Sequence, residues 1–548
     1  MNNAVKEMRN MIPAVDIAFL LLISAFIIPS QVLAIEYYVD QNQPNANDQN
    51  PGTSALPWKT ITKANQTLVA GDTVYIKAGT YTSYIAPNTS GFSANRITYR
   101  NYGTDIVTIS GTAYAVYLNG KSYITVHGIH ATNLPNFLYI INGSSYNIIA
   151  YSKFDQQNPP DWDASVINGN SQYNWIHHSQ FSNGGQCSSS GSDDGSVLDI
   201  GSEGSSTDLT RYNLIEDSVF FHGGHHVVGL YGGYNTIRNN YFHNEGWSRG
   251  RGNRILSING RDAVTGHNII EGNRFGYAAP PCDASTVGSV PINTKYNIFR
   301  YNKVYHSNAY GLGFYAYSGY SAGSFNAIYN NTLFNNGYNI NPAYEGGSED
   351  AAITFFASAQ TGNKFKNNLY SSHFQVYGGS TSGQTFTNNY NGDVSGNTLF
   401  VNASTTPPMD TTDSTLPNLD LQSSSAAENA AGALTTVASA DTGSGTTLIV
   451  SDATYFQDGT YAPPGIVKAD WIAVGTVGNV VQIASISGNT ITLVSPNTRN
   501  DNDPIWLYKK SDGVQVLYGS APDAGAYEFP AGADTSPPTA PMNLRILP

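Results

Sequence analysis

Apolar residues recur through the middle of the chain in a nine-residue phrase, not at helical spacing. The phrase opens on an aromatic residue followed by asparagine. Counting that asparagine as place one, places three and eight are apolar and place six is Asn or Ser. Copies open at Tyr146-Asn147, Tyr173-Asn174, Tyr212-Asn213, Tyr234-Asn235, His267-Asn268, Tyr296-Asn297 and Phe325-Asn326, with a weaker copy at Gly362-Asn363. The leading asparagines lie 27, 39, 22, 33, 29, 29 and 37 residues apart. Periods of this size mark a stacked solenoid, in which the shortest spacing is a bare coil and longer ones carry inserted loops. Places three and eight then point inward, and place six sits at the bend between two strands. Stacked coils lie about 4.8 Å apart, so like residues form ladders.

The second ladder reads Ser152, Ser179, Ser218, Asn240, Asn273, Asn302, Asn331 and Asn368. Stacked amides bond to the coils above and below. A structural role is the first reading of every such asparagine, because buried polar groups must be paired. Place four faces outward and reads His177, Glu216, Arg238, Glu271, Arg300, Tyr329 and Lys366. Opposite charges on adjacent coils are expected to pair there as an exposed structural stripe, at about 0–1 kcal/mol per pair. Ahead of each phrase another strand is expected, over residues 164–167, 196–200, 226–230, 254–258, 312–316 and 353–356. Residues 182–195, 244–253 and 276–290 are the loops inserted beside those strands.

The pattern fades after about residue 400. Residues 403–432 are rich in Thr, Ser, Pro and Ala, and 434–518 return to alternating runs such as Thr447-Leu448-Ile449-Val450 and Trp471-Ile472-Ala473-Val474. Those runs, separated by turns such as Ser487-Gly488-Asn489, predict a small β-barrel or sandwich. Residues 534–548 are Pro-rich and are expected to be disordered.

Composition agrees with short strands and tight turns: 54 Gly, 37 Tyr and only 12% charged residues. The net charge of −13 argues against general nucleic-acid binding but not against an anionic polysaccharide held by a local arginine cluster. Residues 1–34 read as a signal peptide, with Lys6 and Arg9 before an apolar run and Val32-Leu33-Ala34 at the cleavage point. A retained anchor is the alternative, although Pro29, Ser30 and Gln31 break the run short of about 20 apolar residues. The expected destination is extracellular or the cell surface, with the periplasm as an alternative and no membrane attachment after cleavage. Export permits a disulfide, and Cys187 and Cys282, matched in their loops, are expected to form it.

The opening Tyr37-Tyr38-Val39-Asp40, Pro57-Trp58-Lys59-Thr60-Ile61, Ala70-Gly71-Asp72-Thr73-Val74-Tyr75 and Ala78-Gly79-Thr80-Tyr81 resembles that of secreted pectate-lyase-like right-handed parallel β-helix proteins. Pro522-Asp523-Ala524-Gly525-Ala526-Tyr527-Glu528 resembles their closing strand. The resemblance implies an all-β solenoid over 35–432 with a short N-terminal capping helix near 59–68. A small β domain over 433–518 is inserted before a closing β segment at 519–531, and a tail at 532–548 follows.

Successive coils offer Asp163, then Asp193 and Asp194, then His225 and His226, then Arg254. The order resembles that of polygalacturonase-type glycoside hydrolases, although Gly195 follows the Asp pair, His226 stands where that family has a second Gly, and Leu256 replaces a Lys. Asp194, His225, His226 and Arg254 are the candidate catalytic residues. Asp163, Asp193, Arg249, Arg251 and Tyr315 are the candidate substrate contacts. A Ca2+ ion held by Asp193, Asp199 or Glu203 is an alternative way to neutralise a sugar carboxylate. Solvated turn residues for the Asp pair, and a packed ring for one histidine, are the structural readings of the same residues. The expected function is β-elimination on a uronate-containing polysaccharide by a monomer that binds neither nucleic acid nor membrane. Inverting hydrolysis and a non-catalytic glycan-binding or surface-structural role are the alternatives.

Overall fold

The computed structural model describes residues 34–155, 162–185, 195–244, 254–261, 264–278, 288–307, 309–316, 322–337, 351–356, 359–372, 374–377, 381–393, 395–404 and 416–529. Each phrase folds as two short strands around a sharp bend. In the coil opened by Tyr173 these are Trp175–His177 and Gln180–Ser182, with His178 between them at φ 49°. The leading aromatic is left-handed too. From Tyr123 through Tyr146, Tyr173, Tyr212, Tyr234, His267 and Tyr296 to Phe325, φ lies between 55° and 59°. Bulky residues rarely adopt that region. Here the asparagine that follows anchors each bend. Asn147 receives its backbone partner from the next coil, its N–H donating to Asn174 Oδ1 at 3.0 Å, while its Nδ2 donates to the same oxygen at 2.9 Å and to Lys121 O at 2.9 Å. The same amide-to-amide bond recurs from Asn174 to Asn213, Asn213 to Asn235, Asn268 to Asn297, Asn297 to Asn326 and Asn326 to Asn363, at 2.8–3.2 Å. The second ladder repeats it from Asn240 through Asn273, Asn302, Asn331 and Asn368 to Asn389.

Repetition builds three all-parallel sheets. Sheet A has 13 strands, from Glu36–Val39 to Thr385–Thr387. Sheet B has 12, from Gly79–Tyr81 to Tyr390–Asn391. Sheet C has 10, from Tyr114–Asn119 to Phe374–Tyr377, and carries the strands that precede each phrase. Register is kept coil after coil, as in Ile176, Ile215, Ile237, Ile270, Phe299 and Ile328. Inside, Phe154, Phe181, Phe220, Phe242 and Phe275 stack at 4.6–5.2 Å. The molecule is a parallel β-helix. Its capping helix is Ile61–Thr67, opened by Thr60, whose hydroxyl accepts from Lys63 N–H, and it buries Ile61 and Ala64 over the first coil. Among the described residues no helix is long and apolar enough to cross a membrane.

The small β domain is a six-stranded antiparallel sheet between Thr435–Thr436 and Pro504–Lys509. Its core, including Leu448, Ile472, Ile491 and Ile505, is continuous with Ile298, Tyr301, Ala327 and Tyr329 of the solenoid. It therefore lies on the outer face of sheet A, and this corrects the reading of the charge stripe. Glu216, Arg238, Glu271 and Arg300 are in lateral register as expected, but they are buried beneath the domain, not solvated. Arg300, with no exposed surface, donates to Asp470 through both terminal nitrogens at 2.7 and 2.8 Å, to Glu271 at 2.7 Å and to Tyr329 Oη at 2.9 Å. Ser511 donates to Glu271 and receives Arg238 Nη1 at 2.9 Å.

After the last coil the chain returns along sheet B. Phe400–Asn402 and Asn418–Leu421 pair antiparallel. With Leu399 and Ala524 they cover Val219, Tyr241, Tyr277, Tyr305 and Phe334. The expected closing strand forms no ladder. Residues 522–529 dock irregularly, through Gly525 N–H to Asn367 O and Ala526 N–H to Thr332 Oγ1, both at 2.9 Å. Asp523 and Glu528 sit together there. Burial first, and Asp523 next, push Glu528 up to about 9, and burial pushes Asp523 up to about 6. The domain covers sheet A and the return segment covers sheet B, so sheet C is the outer face that both leave.

Two predictions follow from these contacts. Arg300→Ala leaves Asp470 and Glu271 buried without their cation, and should lower unfolding free energy by about 3–5 kcal/mol in urea titration. A loss below about 1 kcal/mol would mean that the stripe is solvated after all. Glu528 gains affinity for its proton on folding. Its contribution is therefore complete below the ordinary value of 4.5 and declines as pH rises towards about 9. Glu528→Gln should flatten stability across that interval and raise it at the alkaline end, measured by denaturation at a series of pH values.

Candidate active site

The strand Ser196–Ile200 sets Asp199 on the outer face of sheet C, between Val166 on the preceding coil and Gly229 on the next. Alternation along this strand turns Leu198 and Ile200 into the core and leaves Asp199 outside it. Asp163 lies at the turn before Ser165–Ile167 and accepts Ser196 N–H at 2.9 Å. The two carboxyls lie close enough to feel each other's charge. Burial first, then the charge of Asp163, hold the Asp199 carboxyl well above the usual carboxylate range. Asp199 Oδ1 is buried and has no hydrogen-bond partner among the described residues.

One coil further, His226 opens the strand His226–Leu230 opposite Ser196. It is 1% exposed. Arg254, half-buried, brings Nη1 to 3.1 Å from His226 Nε2. A guanidinium can only donate, so Nε2 is the acceptor of a neutral ring and Nδ1 carries the proton, which points to Tyr231 Oη at 3.5 Å. Burial, then His225 and Arg254, keep His226 well below its ordinary value. The His225 ring lies 3.9 Å from that of His226 and is half-buried. Tyr231, also buried, feels Asp199, Glu203, Asp163 and Arg254 together, and burial raises it furthest. Tyr139 Oη donates to Asp163 O at 3.3 Å.

Sequence reasoning named Asp163, Asp199, His225, His226 and Arg254, and the fold brings these five together. Glu203 stands at the rim, exposed. Tyr315 lies on the next part of the same face. It donates to Tyr310 Oη at 3.0 Å and stacks on Phe356 at 4.0 Å. Asp193, Asp194, Arg249, Arg251, Cys187 and Cys282 lie outside the described residues, as do most of the loops expected to wall this face. Calcium takes about six to eight oxygen ligands. Among the described residues no three carboxylate, imidazole or thiol groups gather as a metal site.

Sequence reasoning missed Tyr139, Gly229 and Tyr231. A glycine inside the run His226–Leu230 was the available signal, since a strand glycine marks a close approach. A Cβ at 229 would stand 2.4 Å from Asp199 Oδ1 and 2.5 Å from the Tyr231 ring.

Three parallel sheets and one acid–imidazole–guanidinium face define the class of protein, a parallel β-helix. No family model matches the chain. A stretch of 87 residues, 16% of the chain, is 38% identical to the uncharacterized protein YwoF of Bacillus subtilis (strain 168), and the chain spans 19% of that protein's length. Among solved structures the chain is similar to a rhamnogalacturonan lyase (16% identity, 71% of this chain and 95% of that one, TM-score 0.44). It is also similar to the pectate lyase Pel9A (16%, 74% and 93%, TM-score 0.46) and to the PL6 family polysaccharide lyase Pedsa3628 from Pseudopedobacter saltans (14%, 66% and 94%, TM-score 0.41).

Gly229→Ala should displace Asp199 and Tyr231 while the coil persists. We expect a stability loss of about 1–3 kcal/mol, the usual cost of overpacking. If the variant's crystal structure superposes on the parent at Asp199 and Tyr231, this close packing is not what fixes the site.

Proposed function

We propose that this protein is an exported enzyme that cleaves a uronate-containing polysaccharide by β-elimination, with sheet C as its active face. The observation that carries the reading is the buried Asp199 carboxyl beside Asp163, two coils from Arg254, whose guanidinium donates to His226 Nε2. Elimination needs the sugar carboxylate neutralised, a base for the C5 proton and an acid for the leaving oxygen. Arg254, half-buried, binds the carboxylate. His226 is too buried to meet substrate and acts as a positioning residue, taking one N–H of Arg254 without neutralising it. His225 accepts the C5 proton. The C5–H electrons form the C4–C5 double bond, the C4–O bond breaks, and the leaving oxygen takes the proton of the carboxyl pair. Tyr231 backs His226 and the acid pair.

Inverting hydrolysis, the alternative, uses two carboxyls about 6.5–9.5 Å apart with water between them. No step above is routed through calcium. Export rests on the apolar start of the sequence, which lies outside the described residues.

Incubation with pectate, alginate and glycosaminoglycans should produce the ultraviolet absorbance of an unsaturated uronate. Arg254→Ala and Asp199→Asn should each lower turnover on the responsive polymer by about a hundredfold or more, the scale of a lost charge-stabilising contact. New reducing ends without that absorbance would replace elimination by hydrolysis, and neither signal on any acidic polymer would remove the enzymatic reading.

A further inference from the structure

Towards the N-terminal end, the outer face of sheet C changes character. The row that holds Asp199 continues back through Val166 to Tyr139 and Tyr117. Tyr114 lies beside Tyr117, with ring centroids 4.6 Å apart, and meets Tyr139 at 5.0 Å and Tyr84 at 5.8 Å. All four rings are half-buried. Their planes cross at 34°, 67° and 63°. The contrast with the leading aromatics of the phrase is physical. There Tyr123, Tyr146 and Tyr173 stack within 8° of parallel, so each ring covers the face of the next. Tilted rings leave faces open. Around them stand Asn119, which donates to Tyr117 Oη at 3.1 Å, and the exposed Trp162, whose indole N–H donates to Asn136 Oδ1 at 3.0 Å. The charges felt at Tyr114 and Tyr139 are those of tyrosines and of Asp163 and Asp199, with no cation among them.

We propose that Tyr114, Tyr117 and Tyr139, flanked by Tyr84 and Trp162, form a subsite for the uncharged face of a sugar ring in the strand whose uronate occupies the acid pair. This rests on the uronate reading given above. Open aromatic faces attract the C–H face of a pyranose, and interleaved amides suit its hydroxyls. Among the described residues a carboxylate would find no cationic partner there, so the subsite favours a neutral sugar or a uronate bound by its ring alone. Continuity fixes the direction. Tyr139 is two coils and Tyr117 three coils from Asp199, about 10 and 14 Å at strand spacing, and Tyr139 touches Asp163 itself. The glycan therefore runs along the solenoid axis, and only oligomers long enough to span this distance engage both parts.

The test is calorimetric binding of disaccharides and hexasaccharides from pectate and alginate, together with neutral xylo- and cello-hexaose, to the full chain and to Tyr114→Ala, Tyr117→Ala, Trp162→Ala and Arg254→Ala. We expect each aromatic variant to weaken hexasaccharide binding about tenfold and to leave the disaccharides unchanged. Arg254→Ala should weaken acidic ligands of both lengths. Trp162 is exposed, so its loss does not threaten the fold, and melting temperature controls for the tyrosines. Hexasaccharide affinity unaltered in all three aromatic variants overturns the subsite, as does failure of every glycan to bind. Neutral hexasaccharides that bind through the aromatic residues, with no binding of acidic ones, support the subsite and overturn the uronate reading.

Discussion

A parallel coil must turn at each corner without leaving buried peptide groups unpaired, and the asparagine ladders are how this chain does it. Each ladder amide accepts a backbone N–H from the coil before and donates to a carbonyl of that same preceding coil. An orphaned buried group costs about 1–3 kcal/mol, so each ladder residue depends on both neighbours and the pattern propagates. The ladders also stabilise the left-handed residues ahead of them, which explains why tyrosine stands at positive φ coil after coil. Because the turns are over-determined, the strands between them hold register. Outward positions on successive coils are then fixed at about 4.8 Å from one another.

That fixed register serves two ends. On sheet A it aligns Glu216, Arg238, Glu271 and Arg300, and the β domain seals them, Asp470 completing the shell of Arg300. On sheet C it brings Asp163, Asp199, His226 and Arg254 onto one face, and among the described residues neither the domain nor the return segment packs there. The two arginines differ in what holds them. Arg300 is gripped by two carboxylates and a tyrosine, an arrangement that spends the charge on cohesion. Arg254 gives one N–H to the His226 imidazole, which orients the guanidinium.

The solenoid was legible because its period is long, exact in type and carried by residues whose role is geometric. The five site residues that meet were legible for the opposite reason: their types are not dictated by stacking. Tyr139 and Tyr231 were not, since in a chain with 37 tyrosines an outward tyrosine carries no signal. The stripe was placed correctly and judged wrongly. Periodicity says that Arg300 points away from the coil, but not that Asp470, 170 residues later, comes to cover it. The 522–529 motif misled similarly, because its role is to dock against Asn330 and Asn367 while its own carboxyls share a buried corner.

Burial acts on the candidate site in a way that bears on chemistry. It raises Asp199 and lowers His226, so each is pushed towards its uncharged form. In water the carboxyl would give its proton away and the imidazole would hold one over much of the acidic range. On sheet C burial works against both charges, on the Asp199 carboxyl and on the His226 imidazole one coil further. A carboxyl driven this way suits the proton donor that elimination needs, and an imidazole driven this way suits the acceptor of an arginine N–H. Nothing in the coil's packing asks for such a cost, since Val166 fills the row position of Asp199 one coil earlier. The solenoid can bear the penalty because the ladders, not this face, hold the register.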